Sequence, residues 1–390
     1  SNQLGVSRSS MSGGTDVLAH GAGIASAKAA ADDAAPLPAS VARLVQRARR
    51  MVYVYDLPPR LNRAAAAWSI EYWGKQRAEV CTPVHNRRVY QGQAHFDAHL
   101  HHDDFVRTLD PSEASLFYVP ALLLQRTTWG ASPRPHVQKA LDYIRGAFPY
   151  WNRTSGRDHV WYFFHENHCD LPDEVLRNSI LLSSWGGATP GGNRGTDCMS
   201  RGKDIVVPTV TPMSHDRGSA DAGFRAMFEA AGKKAFDDRA GPLLFFAGGV
   251  VGYGAAQEHH RRGGADSATK REKVYQKVLK MPCALPTRKC RNIYSMGVRQ
   301  AVWRARLWEE GDVDRVSAGV KDYADRLLTS HFCLHTEGNG WGTRLIDYSI
   351  AECVPLIIND DMQLIFEDLI PYPAISVRAR KADIPTIVAR

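Results

Sequence analysis

Runs of consecutive apolar residues, most of them closed by Pro, Gly, Asp or Ser, begin at Met51 and recur through the rest of the chain. Too short for helices and rich in β-branched and aromatic residues, such runs predict buried strands. They fall at Met51–Tyr55, which stops at Leu57-Pro58-Pro59, and at Ser115–Val119, His159–Phe164, Ile180–Ser183, Asp204–Val207 and Leu243–Ala247. Helical patterning separates them at Gln93–Leu109, ended by Asp110-Pro111, and follows at Tyr294–Trp308 and Val320–Leu328. Strands alternating with helices predict an α/β layer structure. The first 50 residues, rich in Ala, Ser and Gly, have too few large apolar groups to offset ordering entropy and read as a disordered stem. A linker at Thr209–Asp221 divides a first unit, 51–235, from a second, 236–390. Within the second, residues 250–291 are rich in Gly, Lys, Arg and Ala and read as a surface insertion.

The densest signal is Phe332–Asp361, FCLHTEGNGWGTRLIDYSIAECVPLIINDD. A strand at Phe332–Leu334 enters a loop carrying Gly338, Gly340 and Gly342; a helix follows over Thr343–Glu352, then a strand at Val354–Ile358. α/β proteins hold phosphates in this way. Glycines let the backbone approach closely, and the helix N-terminus offers unpaired N–H groups and a positive dipole end. Thr343 is the expected N-cap. Arg344 stands in the first turn, where the dipole favours an acid; a diphosphate completing the site explains a cation there. Asp347, one turn on, can accept ribose hydroxyls or pair with Arg344. Gly297-Val298-Arg299 opens another helical stretch, which makes Arg299 either a second anion ligand or an exposed arginine. GNGWG also approaches the dinucleotide fingerprint, with its third glycine one place early and Asp360 near the next strand's end. A nicotinamide-dependent oxidoreductase is therefore the competing reading.

Composition adjusts this picture only slightly. The 390 residues, 44% hydrophobic and 23% charged, suffice for two core-forming domains. A net charge of +8 favours anionic ligands in general, and no basic run interleaved with aromatics points to nucleic acid. The seven cysteines contain no CxxC pair, which argues against zinc-ribbon and thioredoxin chemistry. Cys333 and Cys353 lie on apolar runs and are expected as buried thiols. Cys81, Cys169, Cys198, Cys283 and Cys290 have polar surroundings and can bridge in an oxidising compartment. No apolar run reaches the ~18–20 residues of a transmembrane helix. The chain starts at Ser1 and stops at Arg390, so a membrane anchor is expected outside this stretch.

Other clusters carry weaker chemistry. His95, His99, His102 and Asp103 fall near one helical face, as metal ligands would, yet Phe96, Leu100 and Phe105 mark an ordinary amphipathic helix. His165-Glu166-Asn167-His168 is one residue short of HExxH and lacks its i, i+4 histidine pair. Asp312-Val313-Asp314 reads as a chance DxD in a polar loop. Tyr150–His159, YWNRTSGRDH, sets two aromatics beside Arg153, Arg157, Asp158 and His159. Aromatic faces stack on sugar rings, and Asp or His can relay a hydroxyl's proton; the alternative is a structural loop with a salt bridge.

Taken in order, VYVYDLPPRLN, DPSEASLFYVP, YWNRTSGRDHVW, GKDIVVP, LLFFAGG, YSMGVRQAV, the Phe332–Asp361 block and IFEDL resemble the exostosin family of glycosyltransferases, particularly its plant and algal branch. The resemblance spans Met51 to Val377. It implies a GT-B fold, two Rossmann-like domains facing across a cleft, the first on the acceptor side and the second binding the nucleotide-sugar. It further implies inverting transfer from a UDP-sugar to a glycan or glycoprotein by a type II Golgi membrane protein with a lumenal catalytic domain, without metal or other cofactor. On matching positions it gives Arg344 the diphosphate and Asp347, where the family often has Glu, the ribose. Arg299 matches the arginine of the family's glycine-to-helix turn. Glu337, Gly338, Gly340, Gly342 and Thr343 complete the donor loop, and Asp158 and His159 are the candidate bases. A non-catalytic glycan-binding relative is a further alternative. Two departures stand out: the insertion between Gly249 and Tyr294, and a C-terminal end expected to be truncated before the family's closing helices.

Overall fold

The computed structural model describes residues 43, 46–47, 49–62, 92–121, 132–163, 170–187, 199–208, 229, 235–250, 276–280, 294–305, 312–316, 320, 322–336, 343–360 and 362–387. Packing divides the chain into Ser1–Arg49 and Arg50–Arg390, and the described strands all lie in the second unit. They form two wholly parallel sheets. The first comprises β1 (Val52–Val54), β2 (Arg107–Thr108), β3 (Leu116–Tyr118), β4 (His159–Phe163), β5 (Ile180–Ser183) and β6 (Ile205–Val206), in the order β2-β1-β3-β4-β5-β6. The second comprises β7 (Leu244–Ala247), β8 (Val313–Val316), β9 (Phe332–Thr336), β10 (Val354–Ile358) and β11 (Val377–Ala379), in the order β11-β10-β9-β7-β8. Parallel strands need helical crossovers, and helices on both faces leave central strands apolar throughout. β4 and β7 meet that rule, with every residue buried.

Each sheet carries helices on both faces. α1 (Gly92–His101) covers one face of the first sheet, placing Leu100 and Phe96 against Val54, Tyr118 and Tyr162. α2 (Arg134–Ala147), α3 (Tyr150–Thr154) and α4 (Asp173–Asn178) cover the other; Val137, Ala140, Leu141 and Ile144 of α2 recur at helical spacing toward Phe117, Trp161 and Leu181. On the second sheet, α5 (Val298–Arg304) packs Val298, Ala301 and Val302 on Leu244, Phe246 and Leu334. The opposite face takes α6 (Tyr323–Thr329) and α7 (Thr343–Ile350), through Leu327 and Tyr348 against Phe245 and Cys333. The result is a Rossmann-like α/β arrangement.

A buried guanidinium ties this last layer together. Arg239 donates to the carbonyls of Leu327 (3.3 Å), Ser330 (2.8 Å) and Ala351 (3.1 Å), capping the carboxyl ends of α6 and α7 at once. Elsewhere Gln363 donates its backbone N–H to the Gly186 carbonyl at 2.8 Å, joining the segment after β10 to the one after β5. A Cβ on Gly186 would lie 1.9 Å from the Gln363 oxygen, so only glycine fits there.

Four expectations need correction. The helix expected over Gln93–Leu109 ends at His101, because the Asp103 carboxylate accepts the N–H groups of Phe105 (2.9 Å) and Val106 (2.8 Å) and turns the chain into β2. Asp312-Val313-Asp314 is not a loop: β8 is the polar edge strand, and Asp314 accepts from Arg326 of α6. Residues Tyr150 to Thr154 are helical, and the turn after them uses Ser155 at φ 54° and Gly156 at φ 80°. Cys333 and Cys353 are not thiols but a disulfide, with Cα atoms 5.7 Å apart, because adjacent parallel strands bring the start of β10 beside β9. The other five cysteines and the His165–His168 run lie outside the described residues. Among the described residues, no group of three or more His, Cys, Asp or Glu is arranged to hold a metal ion, and no helix is long and apolar enough to cross a membrane.

Candidate active site

In the second sheet the chain leaves β7, places β8 on one side, and then returns to place β9 on the other. Such a reversal opens a crevice beyond the carboxyl ends of the two strands, the usual ligand position in an open α/β sheet. β7 ends there in Gly248 and Gly249, β9 in His335 and Thr336, and α7 starts just beyond.

Two guanidiniums meet at this crevice. Arg299 follows Gly297, whose φ of 80° turns the preceding 3₁₀ segment into α5. Although only 4% exposed, it is well held: Nε donates to Thr336 Oγ1 and Nη1 to the Gly249 carbonyl, both at 3.1 Å. Its Cζ lies 5.6 Å from the centroid of the Phe246 ring, and Arg344 Cζ lies 5.7 Å from the same centroid. Gly248 makes the approach of Arg344 possible, since a Cβ there would fall 2.8 Å from Nη2. Two like charges around one ring repel each other, and an anion between them would relieve that repulsion.

The surrounding groups record this field. His335 is held down to about 3, first by burial and then by the charges of Arg344 and Arg299, so its ring is neutral. Burial pushes the Asp347 carboxyl up to about 7, against the opposing pull of Arg344 and of the Tyr323 hydroxyl. Tyr348 is pushed up to about 12 by burial and donates to the Leu334 carbonyl at 3.1 Å.

Of the donor-site residues expected from sequence, Arg299, Arg344 and Asp347 therefore come together. Asp347 has no exposed surface. α7 begins at Thr343, while Glu337, Gly338, Gly340 and Gly342 lie outside the described residues. Phe246, Gly248, His335 and Tyr323 escaped the sequence reading; Phe246 looks like core in LLFFAGG, and only the strand order reveals its position at the crevice.

Asp158 and His159 stand elsewhere, at the amino end of β4. His159 has no exposed surface; its Nε2 meets the Tyr55 hydroxyl at 2.7 Å and its Nδ1 the Asp158 carboxylate at 2.8 Å. Asp158 also accepts from Thr154 Oγ1 (2.5 Å) and Arg153 Nη2 (2.9 Å). Burial holds the imidazole down to about 4. Every polar atom of the ring is engaged, and the pair lies at the end of the strand opposite to where parallel sheets open their pockets.

Comparison with known proteins bears on the chemistry. The Exostosin GT47 domain profile matches residues 46–390. A "Probable glucuronosyltransferase GUT1" of Oryza sativa subsp. japonica is 26% identical over 358 residues, 86% of this chain and 69% of its own. A "Probable beta-1,4-xylosyltransferase IRX10L" of Arabidopsis thaliana is 25% identical over 354 residues, 86% of this chain and 69% of its own. A "Probable glucuronosyltransferase 47 A" of Physcomitrium patens is 26% identical over 364 residues, covering 87% and 64%. Such relatives are longer, and the chain spans as little as 58% of one of them. Since the profile runs from ahead of the first strand to the last residue, with the paired arginines inside it, the chain belongs to the exostosin GT47 family of glycosyltransferases.

Proposed function

We propose that the chain transfers a sugar, with inversion, from a UDP-sugar to a hydroxyl of a glycan or glycoprotein. The convergence of Arg299 and Arg344 on the Phe246 ring, at the β7/β9 crevice, carries this reading. As the bond to the anomeric carbon breaks, negative charge grows on the departing diphosphate. Fixed guanidiniums and the N–H groups at the start of α7 stabilise that charge without having to reorganise. The two sheets serve as the halves of a GT-B enzyme, the second holding the donor and the first the acceptor. Asp158, His159 and Tyr55 enter as an internal brace of the acceptor-side sheet. The Cys333–Cys353 disulfide favours a secretory lumen such as the Golgi's, because cytosolic thiols are kept reduced.

Thermal shift with UDP and with NAD, followed by UDP release from a panel including UDP-glucuronate and UDP-xylose, tests this. Stabilisation by UDP with turnover of one sugar is expected. Stabilisation by NAD alone would point to the oxidoreductase reading, and glycan binding without UDP release to a non-catalytic relative. Gly248→Ala offers a finer probe, since its Cβ would displace the flexible end of Arg344 and press only slightly on the Phe246 ring, 3.1 Å away. UDP affinity should fall by roughly tenfold, the equivalent of about one charge-assisted contact, while the melting temperature barely moves.

A further inference from the structure

Asp347 is the least comfortable group near the crevice. It is fully buried, and among the described residues neither carboxylate oxygen has a well-formed hydrogen bond; the Tyr323 hydroxyl approaches too loosely to make one and acts as a nearby dipole. Ionised carboxylates in such surroundings are costly and persist only beside a cation. Arg344, three residues earlier on α7, is that cation, helped by the Tyr323 hydroxyl from α6. Among the described residues, the other groups around it supply no charge. Tyr348 of α7 gives its hydroxyl to the Leu334 carbonyl, and His335 of β9, on the same sheet face by alternation, is neutral. β7 contributes only Phe245 and Ala247 to this face.

A carboxylate shut off from solvent and without well-formed hydrogen bonds depends on its neighbouring cation. Resting on the donor-site reading, we propose that Asp347 is a positioning residue that acts through Arg344: when a diphosphate engages Arg344, Asp347 takes up a proton. In the free protein Arg344 supports the buried negative charge. A bound diphosphate claims that guanidinium and adds negative potential of its own, so the acid form of Asp347 becomes favoured. Protonation then releases Arg344 from its buried partner to the ligand.

The sign follows from linkage. With the free carboxyl titrating near 7, Asp347 is largely ionised at pH 8 and largely protonated at pH 6. Proton uptake on binding is therefore large at pH 7.5–8 and vanishes below about 6, and affinity for the diphosphate rises as pH falls across that window. Relative to Asp347→Asn, which cannot titrate, wild-type affinity should rise roughly fivefold between pH 8 and pH 7 and level off below.

Calorimetry in two buffers of different ionisation enthalpy counts the protons directly. The probes are inorganic pyrophosphate and UDP; their own protons cancel in the difference between wild type and Asp347→Asn. At pH 7.5 wild type should take up about half a proton or more in excess of the variant, with either probe. Tyr323→Phe removes a hydroxyl that keeps Asp347 ionised, so its uptake should be smaller at pH 7.5 and larger at pH 8.5 than in wild type. Equal uptake in wild type and Asp347→Asn, or a Tyr323→Phe profile identical to wild type, overturns the proposal. An excess seen with UDP and absent with pyrophosphate also overturns it, by showing that Asp347 senses the nucleoside. If neither probe binds wild type, the donor-site reading itself fails.

Discussion

Replacing Arg344 with alanine is expected to lower turnover of a UDP-sugar by a hundredfold or more. Removing one preorganised donor to a developing oxyanion costs about 2–4 kcal/mol of barrier, and about 1.4 kcal/mol is a factor of ten. The loss should appear mainly in kcat, because the contact strengthens as charge reaches the diphosphate. Arg344 is a cleaner test than Arg299. The Arg299 side chain holds Thr336 and the Gly249 carbonyl from a buried position, so its removal also strands polar groups and lowers stability. In the double variant the losses should not add, since both guanidiniums share the Phe246 ring and would share one ligand. Steady-state kinetics on the three variants, with melting temperatures as controls, decide the matter; Arg344→Ala turning over at the wild-type rate would remove the assignment.

Loss of the Cys333–Cys353 bridge should cost about 3 kcal/mol of stability. The bridge closes a segment of sequence separation 20, and confining such a loop in the unfolded chain gives a stabilisation of about that size. That segment is β9, the glycine loop, α7 and the turn into β10, so it bears Arg344 and Asp347 together. Both sulfurs are buried, so mild reductant should act little on the folded protein and strongly once denaturant opens it. Urea titration of a Cys333→Ala, Cys353→Ala double variant beside wild type measures the difference. A midpoint unchanged by the double substitution would show that the bridge contributes nothing.

Much of the fold was readable because parallel strands buried on both faces leave uninterrupted apolar runs. β4, β5, β7 and β10 were found within a residue or so at each end for this reason. β8 was not, because an edge strand covered on fewer sides can carry Asp314 and Arg315 and so reads as polar loop. α2 was passed over although its buried positions keep helical spacing and Pro135 in its first turn is a common helix-start residue. At the crevice, Arg299 and Arg344 could be singled out because glycine followed by arginine at a helix start is a local pattern. Their meeting over Phe246 could not, since it depends on β7 lying next to β9 across 84 intervening residues of chain, 248 to 331. The disulfide was missed on the same ground: its partners are neighbours only once β9 and β10 pair.

The three carbonyl bonds of Arg239 have a mechanical consequence. Parting the carboxyl ends of α6 and α7 would leave acceptors unmet in a dry interior, so those ends form one fixed pivot. If a nucleotide obliges α7 to shift, its far end must sweep like a lever about that pivot, carrying α6 with it.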